Sequence, residues 1–291
     1  MNSPKPLHFL DTRTGKTRLF EPVHDSEARI YSCGPTVYNY AHIGNFRNFV
    51  FVDVLRRVLK LFGYRVKHVR NITDIDDKII RSAAEEDITT TQLARRYEDA
   101  FFQDCEYLNL ETVEHSPRAT EHIDEMIDLV QSLIDRGYTY ERDGSIYFRI
   151  NRFKEYGKLS KIDLSNVKSG ARVDSDEYSK EDARDFVLWK GHREGEPYWD
   201  APFGRGRPGW HLECSAMSRR FLGNTLDIHT GAEDLVFPHH ENEIAQSEAA
   251  NGEEYVRYWL HCAFLNMKNE KMSKSLGNII TARKLREDGI D

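Results

Sequence analysis

The sequence predicts an α/β protein whose core is a parallel β-sheet covered by helices. A strand-like run at 29–32 is followed by a helix-like segment at 43–62 and by a second strand-like run at 64–69. That order is a βαβ unit, in which the two strands lie parallel in one sheet. The strand pattern returns at 226–229 and again at 256–264, so the sheet is expected to continue there.

The loop between the first strand and the first helix is where the sequence predicts a ligand site. Gly34-Pro35 breaks the strand, and Gly63 stands where a helix C-cap glycine belongs. Parallel sheets bind ligands at the carboxyl ends of their strands. Cys33 and His42 both fall in the loop at that end.

The centre of the chain predicts further helices and a hairpin. Thr73 and Asp76 have the spacing of a capping box, which predicts a helix running to about Ala84. Segments 93–108 and 122–136 also have the pattern of helices. Asp143-Gly144 between two β-rich runs is typical of a hairpin turn, and the polar stretch 165–185 is expected to be a loop.

These patterns divide the chain into three parts. Residues 1–115 are predicted to form the first half of the sheet domain, and residues 205–291 its second half. Residues 116–204 are interpreted as an inserted α+β module, because a hairpin pattern interrupts the alternation of strands and helices there.

Composition excludes several classes of protein. The formal net charge is -7, so charge gives no sign of a nucleic-acid footprint, although a local basic patch could exist on an acidic protein. No run approaches the roughly 20 apolar residues of a membrane span, and the first ten residues lack a secretory signal. We therefore expect a cytoplasmic protein, which we take to be monomeric. With 4 cysteines, the chain is not a disulfide scaffold.

Cys33, Cys214, His239 and Glu243 carry the atom types that bind zinc. His239 and Glu243 are four positions apart and would share one face of a helix, while His240 would point elsewhere. Spacing alone leaves an ordinary explanation open, namely a solvated His–Glu pair and cysteines buried as small apolar residues. Cys105 and Cys262 are expected in the core.

Two segments could bind phosphate. His42-Ile43-Gly44-Asn45 opens a helix, where free backbone N–H groups and the helix dipole favour anions, although both polar residues could simply cap the helix. Lys271-Met272-Ser273-Lys274-Ser275 could hold a triphosphate from a loop, or could be a basic surface loop. The sequence has no GxxxxGK[ST] motif, which excludes a P-loop.

Taken in order, these segments resemble class I aminoacyl-tRNA synthetases. Residues 42–45 look like the HIGH signature of that class, and residues 271–275 match its KMSKS signature. Within the class, nearly the whole chain resembles cysteinyl-tRNA synthetases. The resemblance is strongest in four strings, at 31–38, 71–79, 209–217 and 237–243.

The resemblance implies a Rossmann-like nucleotide-binding catalytic domain with an inserted connective module, and it assigns roles to individual residues. It implies one zinc ion held by Cys33, Cys214, His239 and Glu243. It implies ATP, with magnesium, bound through Thr36, Gly44, Asn45 and Lys274. The catalytic residues would be His42, Asn45, Lys271 and Lys274, and the cysteine substrate would meet Cys33, Thr73, Trp210 and Asp234.

The activity implied by the resemblance is formation of cysteinyl adenylate and transfer of cysteine to tRNA(Cys), with zinc recognising the substrate thiol. Two alternatives stay open: a ligase that passes cysteine to an amino sugar, as in mycothiol biosynthesis, and a non-catalytic module derived from a synthetase. The sequence departs from the family in having Asn45 as the last signature residue. It also stops at Asp291, before the family's helical and anticodon-binding regions, so weak tRNA charging is expected.

Overall fold

The structure is a computed structural model that describes residues 5–162, 184–267, 270–271 and 279–290, with 266–267 and 270–271 described by their backbone. The loop predicted at 165–185 lies almost entirely outside the described residues, and Lys274 lies outside them as well. The described strands are β1 His8–Asp11, β2 Lys16–Leu19, β3 Glu27–Ser32, β4 Arg65–Arg70, β5 Thr139–Arg142, β6 Ser145–Phe148, β7 Phe186–Gly191, β8 Gly206–Pro208, β9 Leu226–Ala232, β10 Val256–Cys262, β11 Asn266–Met267 and β12 Glu270–Lys271. The described α-helices are α1 Ile43–Leu61, α2 Asp77–Glu85, α3 Thr90–Tyr107, α4 Ile123–Asp135, α5 Trp210–Leu222, α6 Glu241–Asn251 and α7 Ala282–Glu287.

The central sheet is parallel and has the order β10-β9-β3-β4. Each of its strands contributes buried apolar residues, as expected of a sheet whose two faces are covered. Ile30 and Ile228 pair in register between β3 and β9, and both are fully buried. Helix α1 joins β3 to β4 and packs Val52 and Leu59 into the same core. The predicted βαβ unit and the α/β class are confirmed.

A second sheet is antiparallel, in the order β5-β6-β7-β8. Its first two strands are joined by Asp143 and Gly144, which have φ angles of 52° and 72°. Positive φ at both positions is what a tight two-residue hairpin requires, and the sequence signal for this turn was therefore specific. The sheet ends at Pro208, beyond residue 204, and the predicted limits of the inserted module stay a prediction.

A cluster of ion pairs joins the start of α2 to this second sheet. Lys190 Nζ lies 2.6 Å from Asp77 Oδ2, and the guanidinium of Arg207 binds the other oxygen of the same carboxylate. Arg207 Nε also lies 2.9 Å from Glu196 Oε2. Burial raises the pKa of Asp77, but the two cations outweigh it and hold that pKa below its usual value.

Asp77→Asn is expected to lower the free energy of unfolding by about 1–2 kcal/mol, because it leaves two buried cations without their shared carboxylate. This loss of stability is smaller than expected for a fully buried ion pair, because the Asp77 side chain is 44% exposed. A group with a lowered pKa stabilises the fold above its unfolded pKa of about 4, so the difference should vanish as pH falls through the lower folded value. Urea unfolding at several pH values measures this. Asp200→Asn, which breaks an exposed pair with Arg205, should change little.

Helix α2 does not begin with the predicted capping box. Asp76 is its N-cap and accepts a hydrogen bond from the Lys78 backbone N–H at 2.8 Å. Thr73 lies just beyond β4, and its hydroxyl donates to Glu213. The prediction was wrong because Thr73 has a partner that is distant in sequence. Among the described helices, none is long and apolar enough to cross a membrane.

Candidate metal and substrate site

A buried cluster of two thiols, an imidazole and a carboxylate lies at the carboxyl end of the central sheet. Cys33 follows β3, Cys214 is in α5, His239 precedes α6, and Glu243 is in the first turn of α6. One ligand atom from each of the four residues lies within 4.8 Å of the others. All four side chains are buried. Residues that are far apart in sequence are thus brought together at the predicted edge.

The distances between the ligand atoms of the cluster suit a metal ion with tetrahedral coordination. Cys33 Sγ lies 3.6 Å from Cys214 Sγ and 3.7 Å from Glu243 Oε1. Two sulfurs that each bind zinc at about 2.3 Å in tetrahedral geometry are separated by roughly 3.8 Å. The donor set of sulfur, nitrogen and carboxylate oxygen is also one that zinc uses in proteins.

Neighbouring groups orient the imidazole and the carboxylate. His239 Nδ1 is hydrogen-bonded to His211 Nδ1 at 2.7 Å. Its Nε2 lies 2.9 Å from Glu243 Oε1 but has no aligned hydrogen bond, which is unusual for a buried nitrogen. His229 Nε2 and the Tyr255 hydroxyl donate to Glu243 Oε2 at 2.9 and 3.1 Å. One nitrogen and one oxygen are therefore left facing the two sulfurs, and the residues fit a zinc ion.

The electrostatics of the cluster favour the anionic forms of Cys214 and Glu243 but the neutral thiol of Cys33. Burial raises the pKa of the Cys214 thiol, but hydrogen bonds from Cys33 and His239 lower it to about 6. Burial also opposes ionisation of Glu243, yet His229 and His239 hold its pKa well below the usual value. Burial lowers the pKa of His239, but Glu243 and Cys214 raise it to about 10. Burial and the neighbouring Cys214 raise the pKa of Cys33.

Two histidines beside the cluster were not predicted. His240 Nε2 lies 3.6 Å from Cys33 Sγ, so the expectation that His240 points elsewhere was wrong. That expectation assumed helical spacing, but α6 begins only at Glu241, and Phe237 has an extended backbone with φ -141° and ψ 132°. His229 could have been suspected, because an imidazole inside a strand buried on both faces needs a polar partner.

The turn that opens α1 is capped by its own residues. Asn45 N–H donates to His42 Nδ1, and His42 N–H donates to Asn45 Oδ1, both at 3.1 Å. The capping alternative is therefore realised through Nδ1 of the imidazole. Gly44 lies within the turn. The Ile43 N–H donates to the Ile280 carbonyl at 2.9 Å, and His42 pairs with Thr281. The segment at 280–281, which follows the KMSKS-like residues 271–275, thus contacts the HIGH-like turn at residues 42–45.

The remaining predicted site residues are distributed around this cluster. The Trp210 ring centroid lies 4.1 Å from that of His239. Thr73 is buried, and Thr36 pairs with it through the backbone. Asp234 is exposed in a short turn after β9, and the Lys271 backbone pairs with Asn266.

The two other cysteines lie in the core, as expected. Cys105 is 7% exposed within an apolar cluster formed by α1, α2 and α3, and burial raises its pKa to about 11. Cys262 is 6% exposed at the end of β10.

Comparison with known families identifies the chain as a class I synthetase catalytic domain. A family model described as the catalytic domain of class I (C) tRNA synthetases matches residues 19–288. The chain belongs to this family. The resemblance on which the sequence-based prediction depended is confirmed.

Curated relatives in this family are named cysteine–tRNA ligases. Those of Koribacter versatilis and Solibacter usitatus are each 54% identical to the chain, over 280 and 285 residues. The matches cover 96% and 98% of this chain but 57% and 61% of the relatives. The chain therefore spans less than two thirds of the length of these curated relatives.

Solved structures agree on the fold. Methionyl-tRNA synthetase of Mycobacterium tuberculosis, in complex with methionyl-adenylate, superposes with a TM-score of 0.67 over 90% of this chain and 62% of its own. Its sequence is 19% identical to this chain, so the similarity is one of fold. The Rossmann-like catalytic domain predicted from the sequence is confirmed.

Proposed function

We propose that this chain activates L-cysteine with ATP, forming cysteinyl adenylate and pyrophosphate, and then transfers the cysteinyl group to tRNA(Cys). The observation that carries the proposal is the buried cluster of Cys33, Cys214, His239 and Glu243 at the carboxyl end of a parallel sheet. The names of the curated relatives support the same reaction.

Zinc is proposed as the ion of this cluster, with Cys33, Cys214, His239 and Glu243 as its ligands. When bound, it supplies a Lewis acid that prefers sulfur to oxygen, and so favours cysteine over serine. Apolar contacts alone separate such similar substrates by only about 10- to 200-fold. The buried hydrogen bonds from His211 and His229 hold the imidazole of His239 and the carboxylate of Glu243 in place, as partners of metal ligands commonly do.

The turn at the start of α1 is proposed to bind the phosphates of ATP. His42 Nδ1 already accepts a hydrogen bond from the Asn45 N–H, which fixes the orientation of the imidazole ring at the start of the helix. Thr36, Gly44 and Asn45 are proposed to bind the nucleotide, and magnesium is expected to accompany it. Lys271 and Lys274 would stabilise the negative charge that grows on the departing pyrophosphate.

Trp210, Thr73 and Asp234 are proposed to contact the amino acid. The Trp210 ring lies beside that of His239 and is proposed to form one wall of the pocket, while Thr73 lies just beyond β4 and donates to Glu213. A cytoplasmic location and a monomeric state stay predictions from the sequence.

The proposal predicts zinc-dependent exchange of pyrophosphate into ATP in the presence of cysteine. Serine is expected to support exchange at least about 1,000-fold less efficiently, which exceeds what apolar contacts supply. A chelator should abolish the exchange with cysteine, and added zinc should restore it. Exchange with serine at a comparable rate, or exchange that survives metal removal, would contradict the proposal.

The choice of acceptor separates the alternatives. A synthetase transfers radiolabelled cysteine to tRNA(Cys), whereas the related ligase would transfer it to an amino sugar. A non-catalytic module would show neither transfer, and no exchange of pyrophosphate. Both acceptors should be compared on one zinc-loaded preparation.

A further inference from the structure

An arginine in α7 joins that helix to two other parts of the chain. The guanidinium carbon of Arg283 lies 4.8 Å from the centre of the Tyr40 ring. Its Nη2 donates to Gln103 Oε1 at 3.0 Å and to the Ala100 carbonyl at 3.4 Å, and its Nε lies 3.5 Å from Asp104 Oδ1. Arg283 therefore connects α7 both with α3 and with the turn at 40–45, which leads into α1.

The backbone at the start of α7 is attached to the same turn. The Ile43 N–H donates to the Ile280 carbonyl at 2.9 Å, and His42 pairs with Thr281. Ala282 is buried in the apolar cluster formed by α1, α2 and α3. The side chain that follows Ala282 therefore extends from a backbone that is fixed on both the turn and the core.

Tyr40 has two neighbours that restrict it, although its side chain is 42% exposed. The Tyr97 ring in α3 meets the Tyr40 ring edge-on, with 5.1 Å between centroids and an interplanar angle of 86°. The guanidinium of Arg283 lies over the Tyr40 ring, where the negative face of the ring attracts a cation. Only Ala41 separates this ring from His42, so fixing the ring restricts the turn.

The guanidinium itself is held from the side of α3. Asp104 is 5% exposed, and within the part of the chain that the structure describes, Arg283 is the one cation at ion-pair distance from it. A planar guanidinium can lie against a ring while its N–H groups bind oxygens in its own plane, which a lysine cannot do. Arg283 thus transmits the fixed position of α3 to Tyr40.

We propose that Arg283 is a positioning residue that fixes the turn at 40–45 through Tyr40, so that the turn is already in place when ATP binds. The inference rests on the proposed function in one respect, the assignment of the ATP phosphates to this turn. Binding to a turn that is already ordered avoids the cost of ordering it. Loss of the contact should therefore weaken the use of ATP and leave cysteine binding at the metal cluster unchanged.

The first test measures hydrogen exchange of the backbone amides of residues 38–46 in the zinc-loaded chain, by mass spectrometry without ATP. In Arg283→Ala these amides should exchange about 5- to 30-fold faster than in the unsubstituted chain. That is the range for losing a cation–π contact together with a hydrogen bond. Amides of α5 and α6, which contain two of the proposed metal ligands, should exchange at unchanged rates.

Arg286→Ala is the matched control for this measurement. Arg286 is in the same helix, and its guanidinium carbon lies 5.7 Å from the centre of the Tyr107 ring in α3. It makes the same kind of contact, but with a ring at the end of α3 opposite to the turn-contacting Tyr97. Hydrogen exchange at 38–46 should therefore differ from that of the unsubstituted chain by less than about twofold.

The second test measures cysteine-dependent pyrophosphate exchange at varied ATP concentration. Arg283→Ala should raise the KM for ATP about 5- to 30-fold, with a change of less than about twofold in the dissociation constant for cysteine. Tyr40→Ala should have a similar effect, whereas Tyr40→Phe, which keeps the ring, should have none. Combining Arg283→Ala with Tyr40→Ala should add little, because both remove one contact. A general loss of stability would lower the active fraction without changing the KM for ATP.

Equal rates of hydrogen exchange at 38–46 in Arg283→Ala and Arg286→Ala would overturn the inference, as would an unchanged KM for ATP in Arg283→Ala. If Arg283→Ala fails to fold, the comparison of Tyr40→Ala with Tyr40→Phe decides between the same outcomes. Failure of the unsubstituted chain to exchange pyrophosphate would contradict the proposed function. Hydrogen exchange would in that case still decide whether Arg283 holds the turn.

Discussion

Cys214→Ser is expected to lose zinc and, with it, the cysteine-dependent exchange of pyrophosphate. Serine oxygen is a poor zinc ligand at neutral pH, whereas hydrogen bonds from Cys33 and His239 favour a thiolate at Cys214. Substitutions of groups that merely contact metal ligands already cost about 10- to 100-fold in affinity, so loss of a ligand should cost more. The zinc content of the dialysed protein, measured by elemental analysis, should fall from about one ion per chain to nearly none.

Cys105→Ser is the matched control for this substitution. Cys105 is also buried, but it lies in the apolar cluster formed by α1, α2 and α3 and is not among the candidate metal ligands. Its zinc content and its exchange activity per folded molecule should equal those of the unsubstituted chain. Equal zinc in Cys214→Ser and in the unsubstituted protein would rule out the proposed ligand set.

Lys274→Ala is expected to slow the formation of cysteinyl adenylate by about 100- to 1,000-fold, with a change of less than about threefold in the dissociation constant for cysteine. The range is that of removing one preorganised group that stabilises charge in a transition state. An interaction made mainly in the transition state appears in kcat when it is lost. Rapid-quench measurement of the single-turnover rate separates the chemical step from binding.

Lys284→Ala provides a comparison close by in sequence. Lys284 is exposed in α7 and pairs with Asp288, so its replacement should leave the single-turnover rate unchanged. A normal chemical step in Lys274→Ala, or an equal loss in both variants, would show that the role assigned to Lys274 is wrong.

Most of the fold could be predicted because its signals are local. Buried apolar residues such as Ile30 and Ile228 lie in the strands of the central sheet, and Asp143-Gly144 has the positive φ angles that its hairpin signal implies. Helix α2 shows the limit of such reasoning. Thr73 and Asp76 have the spacing of a capping box, but the Thr73 hydroxyl binds Glu213, and no local pattern reports a partner 140 positions away.

The candidate site was predicted more by resemblance than by pattern. Cys33 and Cys214 are far in sequence from each other and from the His239–Glu243 pair, and only the resemblance joined the four residues before the structure brought them together. His240 was misplaced because helical spacing was applied to residues that precede the helix. The roles of Lys271 and Lys274 stay predictions.

Asn45 stands where the family signature ends in histidine, and its role in capping helix α1 explains how the helix start accommodates it. Asn45 Oδ1 accepts from the backbone N–H of His42, as the third residue of a capping box does. Asparagine can fill that position with its side-chain oxygen, so the start of α1 is well formed in this chain. What Asn45 contributes to nucleotide binding stays a prediction.

The contact between the start of α1 and the segment at 280–281 has a consequence for synthesis of the protein. His42 pairs with Thr281, and Ile43 with Ile280, so the turn acquires these partners only after residue 281 has been made. At about 5–20 residues per second, roughly 12–48 s separate the two members of each pair on the ribosome. Strands β3 and β4 can pair long before then. During translation, two of the four strands of the central sheet are therefore made well before the turn at the start of α1 acquires its partners.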